Sequence, residues 1–255
     1  MRALAELDVL PGASVLDAGC GAGVHLGLFA EAVGPTGRVA GIDLDPDEIA
    51  LAEQLWEGTD VGAVLELGSG DLLELPFPDA SFDLVWSAAA LHHVEPVEQA
   101  FAELVRVTRS GGRVAVLEAD VGGSFPFLPW PVELEIVLRS AALRAELDRY
   151  GGKLAYSFSG LLGRELPRLL REAGLEQIEL LPVHEVEQGP LDAARADESR
   201  QWFLGPLAER IRPYLAPRDW ELLERLLEPR VDGGLFASQD FFQVRTGYLV
   251  TGHVR

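Results

Sequence analysis

Short apolar runs alternate with segments of helical periodicity along the first 120 residues. Runs typical of β-strands lie at 14–19, 38–45, 63–71, 82–90 and 111–120, and helical patterns follow the first, second and fourth of them. Strands that alternate with helices are typical of βα units around a parallel sheet. The pattern therefore predicts an α/β fold for this part of the chain.

The pattern changes after residue 120. Aromatic residues and prolines cluster in "GGSFPFLPWP", and a helical run from Val132 to Leu147 follows. Later segments predict a helix at 160–173, a strand at 176–186, two helices within 191–228 that break at Pro213 and Pro217, and a last strand at 240–254. Long connections between late strands are expected of insertions that cover a site. We therefore expect a single domain over residues 1–255, with lid insertions at about 121–160 and 190–235.

Composition narrows the class of partner. Hydrophobic residues make up 48% of the chain, which is enough for a sizeable core, and the formal net charge is −20. A strongly negative protein repels a phosphate backbone, so a nucleic-acid substrate is disfavoured. The one cysteine, Cys20, rules out an intramolecular disulfide and is typical of a reducing compartment.

No run approaches the roughly 20 apolar residues that span a bilayer. The first segment, "MRALAELDVLPG", lacks the apolar core of a signal peptide. We therefore expect a cytoplasmic protein with no membrane span, and no metal site is predicted. The sequence does not determine the oligomeric state.

A glycine-rich turn, "VLDAGCGAGVH" at residues 15–25, follows the first predicted strand. Gly19, Gly21 and Gly23 alternate with small residues there. Glycine lets a ligand touch the backbone, and open α/β sheets bind ligands at this edge. The dinucleotide fingerprint requires its third glycine three residues after the second, but Val24 occupies that position. The turn therefore departs from the NAD-binding pattern.

Two carboxylates near the turn help to distinguish between possible ligands. Asp43 lies 20 residues after Gly23, where a carboxylate can accept hydrogen bonds from both ribose hydroxyls. Asp17 lies inside the turn motif, where it would repel a pyrophosphate but attract an ammonium and a sulfonium. Together they favour S-adenosylmethionine over NAD. Structural alternatives stay open for both residues: Asp17 as a helix-dipole or turn partner, and Asp43 as an N-cap acid before Pro46.

Four successive segments carry a family resemblance. "VLDAGCGAG", "GIDLDPDEIALAE", "GDLLELPFPDASFDLVWSAAALHHV" and "RVTRSGGRVAVLE" resemble the ordered motifs of the class I S-adenosylmethionine-dependent methyltransferases, over about residues 7–120. The small-molecule branch with the ubiquinone and menaquinone biosynthesis enzymes is the most similar. The resemblance implies a Rossmann-like seven-stranded, mostly parallel sheet with helices on both faces and an antiparallel seventh strand.

The resemblance also implies a cofactor, S-adenosylmethionine, with S-adenosylhomocysteine as product, and a role for each residue near it. Asp17 and the backbone from Gly19 to Gly23, including Cys20 and Gly21, would hold the methionine part. Asp43 would bind the ribose, and Leu44 would flank the adenine. Asp71 and the Leu72 amide would bind the adenine edge, and Ser87 would lie near the transferred methyl group.

His92 and His93 follow the fourth predicted strand. An imidazole titrates near pH 7 and suits a general base that deprotonates a hydroxyl or amine acceptor. "LHHV" is also common in this branch whatever the substrate, so a shared structural role stays open.

The function that we expect is methyl transfer to an O, N or C atom of a small-molecule acceptor, for example in secondary metabolism, by in-line displacement. An NAD-dependent oxidoreductase and a non-catalytic S-adenosylmethionine-binding protein are the alternatives. Protein acceptors also stay open.

Overall fold

A computed structural model describes residues 7–61, 64–119, 131–149, 162–228 and 235–255. The strands are β1 (Ser14–Ala18), β2 (Arg38–Asp43), β3 (Leu65–Ser69), β4 (Phe82–Ala88), β5 (Thr108–Ala119), β6 (Glu176–Gln188) and β7 (Phe242–His253). The described α-helices are α1 (Leu26–Val33), α2 (Pro46–Trp56), α3 (Val97–Val107), α4 (Val132–Arg149), α5 (Leu162–Glu172), α6 (Ala193–Leu204), α7 (Pro206–Ile211) and α8 (Pro217–Leu226).

The seven strands form one sheet in the order β3-β2-β1-β4-β5-β7-β6. Strands β1 to β5 pair in parallel, and β7 pairs with β5 in antiparallel orientation. The strand order reverses between β1 and β4, and open α/β sheets bind ligands at the carboxyl ends of strands at such a point. The predicted seven-stranded, mostly parallel sheet with an antiparallel seventh strand is confirmed.

Side chains of the central strands alternate between two apolar cores. Leu16 in β1 packs in the core that α3 and α5 cover, whereas Val15 packs in the core that α1 and α2 cover. Both faces of a parallel sheet need such cover, because crossover helices lie on each side. The prediction of helices on both faces is confirmed.

The chain divides into two compact units. The first contains Met1–Asp120, Tyr156–Val183 and Gly247–Arg255, and the second contains Val121–Ala155 and His184–Thr246. In the second unit, α4, α6, α7 and α8 contribute to a separate apolar core that includes Leu138, Leu223 and Phe236. Residues 131–149 and 190–228 of the segments predicted as lid insertions lie in this second unit, whereas residues 121–130, 150–160 and 229–234 lie outside the described part of the chain. The lid role stays a prediction.

Most predicted bounds differ from the observed ones by a few residues, and two differences have a clear physical cause. Strand β5 begins at Thr108 rather than at residue 111, because Thr108 already pairs with Phe82 of β4 before a bulge. Segment 191–228 holds three α-helices rather than two, because the chain also breaks at Gly205. Pro206 lacks a backbone N–H and disfavours helical geometry in the residue before it.

The described part of the chain holds no helix that is long and apolar enough to cross a membrane.

Burial predicts how strongly single leucines stabilise the fold. Leu104 of α3 is fully buried, and we expect Leu104→Ala to lower the free energy of unfolding by about 2–5 kcal/mol, since it leaves a cavity. Leu51 of α2 is 51% exposed, and Leu51→Ala should change it by less than about 0.5 kcal/mol. Urea denaturation measures both values, and equal losses would contradict this packing.

Candidate cofactor and active site

The turn after β1 lies close to the end of β2. The amides of Gly19 and Cys20 donate to the carbonyl of Ile42, at 2.8 and 2.9 Å. Gly19, Gly21 and Gly23 have φ angles of +82°, +50° and +77°. Side chains disfavour this region of φ, whereas glycine adopts it readily. The three glycines therefore set the path of the turn.

An added Cβ would meet different surroundings at each glycine. At Gly19 it would lie 2.4 Å from the Cβ of Ala90, and at Gly23 it would lie within 3 Å of side chains of α1 and α2. At Gly21 its nearest neighbour would be the Oε2 atom of Glu48, at 3.8 Å. Gly19 and Gly23 therefore allow close packing, whereas Gly21 borders open space in which a ligand can touch the backbone.

Asp43 joins this turn to the segment after β2. Its Oδ2 accepts from the amide of Gly21 at 2.8 Å, and its Oδ1 accepts from the amide of Asp45 at 3.0 Å. The helix N-cap is Asp45, whose side chain accepts from the amide of Asp47. The N-cap alternative for Asp43 is therefore wrong. The side chain of Leu44 is 71% exposed beside Asp43.

The segment after β3 reaches the same turn. Leu72 is buried, and its Cδ1 lies 3.7 Å from the position of a Cβ on Gly19. Asp71 is exposed, and its Oδ1 accepts from the amide of Leu73 at 2.9 Å. The structure thus brings the segment predicted to bind adenine to the glycine turn.

Two charged residues of α3 hold this segment in place. Glu103 accepts from the Leu75 amide at 2.8 Å, and Arg106 donates to the carbonyls of Leu75 and Phe77 at 3.0 and 2.8 Å. Arg106 also pairs with Glu103 at 2.7 Å. Sequence reasoning missed both residues, because a charged pair three positions apart on a helix is also typical of a solvated surface.

Asp17 has an unusual environment for a carboxyl group. It is 1% exposed, and neither of its oxygens has a hydrogen-bond partner among the described residues. Burial, with a further contribution from the negative charge of Asp43, raises the pKa of Asp17 to about 8. Buried polar atoms without partners are costly, and a cationic ligand group would supply the missing interaction. No turn bond to Asp17 is found in the described chain, contrary to the turn-partner alternative.

Two residues of β4 have similarly unpartnered atoms. Trp86 lies opposite Asp17 in the β1–β4 pairing, and Ser87 follows it. Both residues are buried, and the Nε1 of Trp86 and the Oγ of Ser87 lack partners in the described part of the chain. Three residues with unpartnered polar atoms thus lie towards the carboxyl ends of the neighbouring strands β1 and β4.

Cys20 contributes backbone rather than thiol chemistry. Its side chain is 6% exposed and packs in the core on the α1 side. Burial and the negative charges of Asp17 and Asp43 raise the pKa of the thiol. A protonated thiol is a poor nucleophile, so this environment does not suit covalent catalysis.

His92 and His93 lie in a 3₁₀ turn, Leu91–His93, after β4. The Nδ1 of His92 lies 2.8 Å from the Oε2 of Glu118 in β5, and the two imidazole centroids are 3.9 Å apart. Burial and the neighbouring His92 lower the pKa of His93. Glu118 was missed by sequence reasoning, although an acid inside the apolar run "RVAVLEA" was an available signal.

Fold and site together define a Rossmann-like protein with a glycine-rich turn at the carboxyl end of its first strand, and comparison with known proteins identifies the family. The family profile described as "Methyltransferase domain" matches residues 16–116. Demethylmenaquinone methyltransferase from Bacillus licheniformis is 31% identical over 181 residues, which cover 69% of this chain and 76% of the relative. The chain belongs to the class I S-adenosylmethionine-dependent methyltransferases.

Two other relatives are longer than the matched region. Methyltransferase GfsG from Streptomyces halstedii is 31% identical over 71% of this chain and 59% of its own length. An uncharacterized transposon protein from Streptomyces fradiae is 36% identical over 76% of this chain and 52% of its own length. The chain thus spans little more than half of these two relatives.

Solved structures share the fold at low identity. The YcgJ protein from Bacillus subtilis has a TM-score of 0.60 and 19% identity, with 99% of this chain and 96% of that chain covered. The [4+2]-cyclase SpnF has a TM-score of 0.54 and 19% identity, with 99% and 79% covered. Because a cyclase shares it, the fold alone does not define the reaction.

Gly21 provides a test of where the ligand lies. We expect Gly21→Ala to lower affinity for S-adenosylhomocysteine at least about tenfold, because the methyl group enters the space that a ligand would occupy while the positive φ costs only about 1–2 kcal/mol of stability. Titration calorimetry and urea denaturation measure the two effects.

Gly58→Ala is the matched control. Gly58 has a φ of +71° and no atom within 4 Å of an added Cβ, so it carries similar backbone strain after α2. The Gly58→Ala variant should lose stability but keep the wild-type affinity for S-adenosylhomocysteine. Equal affinities in the two variants would contradict the assignment of Gly21 to the ligand surface.

The raised pKa of Asp17 predicts a pH dependence of stability. Between the unfolded value of 3.8 and the folded value of about 8, the native carboxyl keeps a proton that the unfolded chain releases. Stability from this group therefore falls as pH rises through that window, by up to about 1.4 kcal/mol per pH unit. Asp17→Asn cannot ionise and should lack this slope.

Urea denaturation of the wild type and Asp17→Asn at pH 5, 6, 7 and 8 measures the difference. Other carboxyl groups titrate equally in both proteins, so the stability of the wild type relative to the variant should fall with pH. Parallel pH profiles would show that Asp17 is ionised in the free protein.

Proposed function

We propose that the protein binds S-adenosylmethionine at the turn after β1 and transfers its methyl group to a small-molecule acceptor. The observation that carries the proposal is the buried, unpartnered carboxyl group of Asp17, directly before the glycine turn. A ligand with an ammonium group offers this carboxylate both charge and hydrogen bonds. The pyrophosphate of NAD would instead bring negative charge towards a buried acid, which disfavours the oxidoreductase alternative.

Residues around the turn suit the rest of such a ligand. Each oxygen of Asp43 accepts one backbone amide, and a carboxylate has about four acceptor sites, so two ribose hydroxyls can still donate to it. The exposed Asp71 can accept from an adenine amino group, with the Leu72 amide beside it. Leu44 offers an exposed apolar surface to the base.

When bound, S-adenosylmethionine supplies a methyl group on a positively charged sulfur, which is already a good leaving group. The chain therefore needs mainly to align the acceptor and to exclude water. Ser87, near the end of β4, is the candidate to lie beside the methyl group, because its buried hydroxyl has no partner among the described residues and can still contact a ligand. His92 and His93 are the candidates to take a proton from the acceptor.

The charge of the chain bears on the class of acceptor. A net charge of −20 supports a small molecule rather than RNA or DNA. We propose a cytoplasmic enzyme whose acceptor pocket uses the insertions at about 121–160 and 190–235. The menaquinone precursor named for the Bacillus licheniformis relative is one chemical type to test.

Thermal shift and calorimetry test the proposed donor. S-adenosylhomocysteine should raise the melting temperature of the full chain, whereas NAD should not. Asp43→Ala should weaken S-adenosylhomocysteine binding by about 1–3 kcal/mol, or about five- to 150-fold in Kd, because charge-assisted hydrogen bonds are lost.

Asp47→Ala is the control, because Asp47 is exposed in the first turn of α2, and its side chain has no assigned contact with the ligand. It should bind S-adenosylhomocysteine as the wild type does. Stabilisation by NAD alone would refute the proposal. Tight S-adenosylhomocysteine binding without methyl transfer to quinone, phenol, amine or protein acceptors would favour the non-catalytic alternative.

A further inference from the structure

Glu118 is a buried acid that the donor site does not explain. It lies near the carboxyl end of β5, is 1% exposed, and faces the core on the side of α3 and α5 together with Leu91. A carboxylate in such a place is costly unless hydrogen bonds satisfy it. Its contacts therefore indicate why an acid occupies this position.

Among the described residues, the side chain of Glu118 makes its three hydrogen-bond contacts with the turn after β4. Oε1 accepts from the amides of Leu91 and His92 at 2.9 and 3.3 Å, and Oε2 lies 2.8 Å from the Nδ1 of His92. Since a carboxylate only accepts hydrogen bonds, the Nδ1 of His92 carries the hydrogen. In a neutral imidazole the Nε2 atom is then unprotonated and can accept a proton.

The turn places this imidazole at the edge of the candidate site. Ala90, two residues before His92, lies against Gly19, where an added Cβ would come within 2.4 Å. The side chain of His92 is 31% exposed, while Glu118 beneath it is covered. Among the described residues, His93 on the same turn packs against His92, and Tyr248 of β7 lies opposite Glu118 in the sheet. The charge of Asp43 on β2 acts on His93.

We propose that Glu118 is a positioning residue that holds His92 as the Nδ1–H tautomer, so that Nε2 takes the proton of a hydroxyl acceptor. This proposal rests on the proposed methyl transfer and adds the acceptor class, a phenol or an alcohol. Such an oxygen is a weak nucleophile until its proton leaves, and a general base meets that need.

The step balances in atoms and charge. The acceptor O–H bond breaks and its proton moves to Nε2, which gives an imidazolium paired with the carboxylate of Glu118. The oxygen forms a bond to the methyl carbon, the carbon–sulfur bond breaks, and its electron pair stays on sulfur. The products are a methyl ether and S-adenosylhomocysteine. The proton then passes from His92 to solvent.

Histidine tautomers can be read without any ligand. In the full chain labelled with ¹⁵N-histidine, long-range ¹H–¹⁵N spectra should show the signal of His92, identified by its loss in His92→Gln, with a protonated Nδ1 and an unprotonated Nε2. In Glu118→Gln the amide nitrogen can donate to Nδ1, so the tautomer should reverse. Glu98→Gln, an exposed substitution in the first turn of α3, should leave the spectrum unchanged.

Turnover gives a second readout. With labelled S-adenosylmethionine, catechol and 7-hydroxycoumarin serve as hydroxyl probes. 1,4-Naphthoquinol offers both hydroxyl and carbon, and indole offers nitrogen and carbon without a hydroxyl. Both His92→Gln and Glu118→Gln should lower kcat on the hydroxyl probes at least about a hundredfold. Their Kd for S-adenosylhomocysteine should stay within about twofold of the wild type, and Glu98→Gln should keep wild-type turnover.

Different results separate the two proposals. A wild-type His92 with a protonated Nε2, an unchanged tautomer in Glu118→Gln, or methylation on carbon alone would overturn the role of Glu118 and the hydroxyl class. Failure of the wild type to bind S-adenosylhomocysteine would instead overturn the proposed function, and the tautomer measurement does not depend on that binding.

Discussion

The close approach of the glycine turn to the end of β2 is the constraint on which the site depends. The Ile42 carbonyl accepts two amides of the turn, and the Asp43 carboxylate accepts a third, so the ends of β1 and β2 are held together. Gly19 permits the equally close approach of Ala90 from the segment after β4. Three strands thus end in one packed cluster, which leaves Gly21 as the open backbone surface.

Burial sets the electrostatics of this cluster. The carboxyl group of Asp17 has no hydrogen-bond partner in the described chain, so its environment favours the neutral form until a cation is present. The carboxyl group of Glu118 is equally buried but has three partners in the turn after β4. One acid therefore suits a ligand, whereas the other orders a protein side chain. Both carboxyl groups are removed from water, and the difference between them is the number of hydrogen-bond donors that the surrounding residues supply.

Much of the fold followed from periodicity and order. Alternating strands and helices predicted the parallel sheet, and the resemblance to the methyltransferase family implied its antiparallel last strand. The predicted bounds were wrong where a contact with a distant segment or a restriction from a neighbouring residue overrides the local sequence pattern. Strand β5 begins early because Thr108 finds a partner in β4, and the helix break at Gly205 follows from the restriction that Pro206 imposes. Glu103 and Arg106 were missed because the segment that they hold is distant in sequence.

The sequence by itself was enough to predict which residues would carry the donor-side chemistry, since glycine spacing and two carboxylates are local properties of short motifs. Only the tertiary structure decided what those groups have as neighbours. Asp17 is a buried acid without a partner among the described residues, whereas Glu118 pairs with an imidazole 26 positions away. The difference depends on which strands and turns lie next to each acid. Burial and hydrogen bonding depend on distances in space, and a linear pattern does not encode those distances.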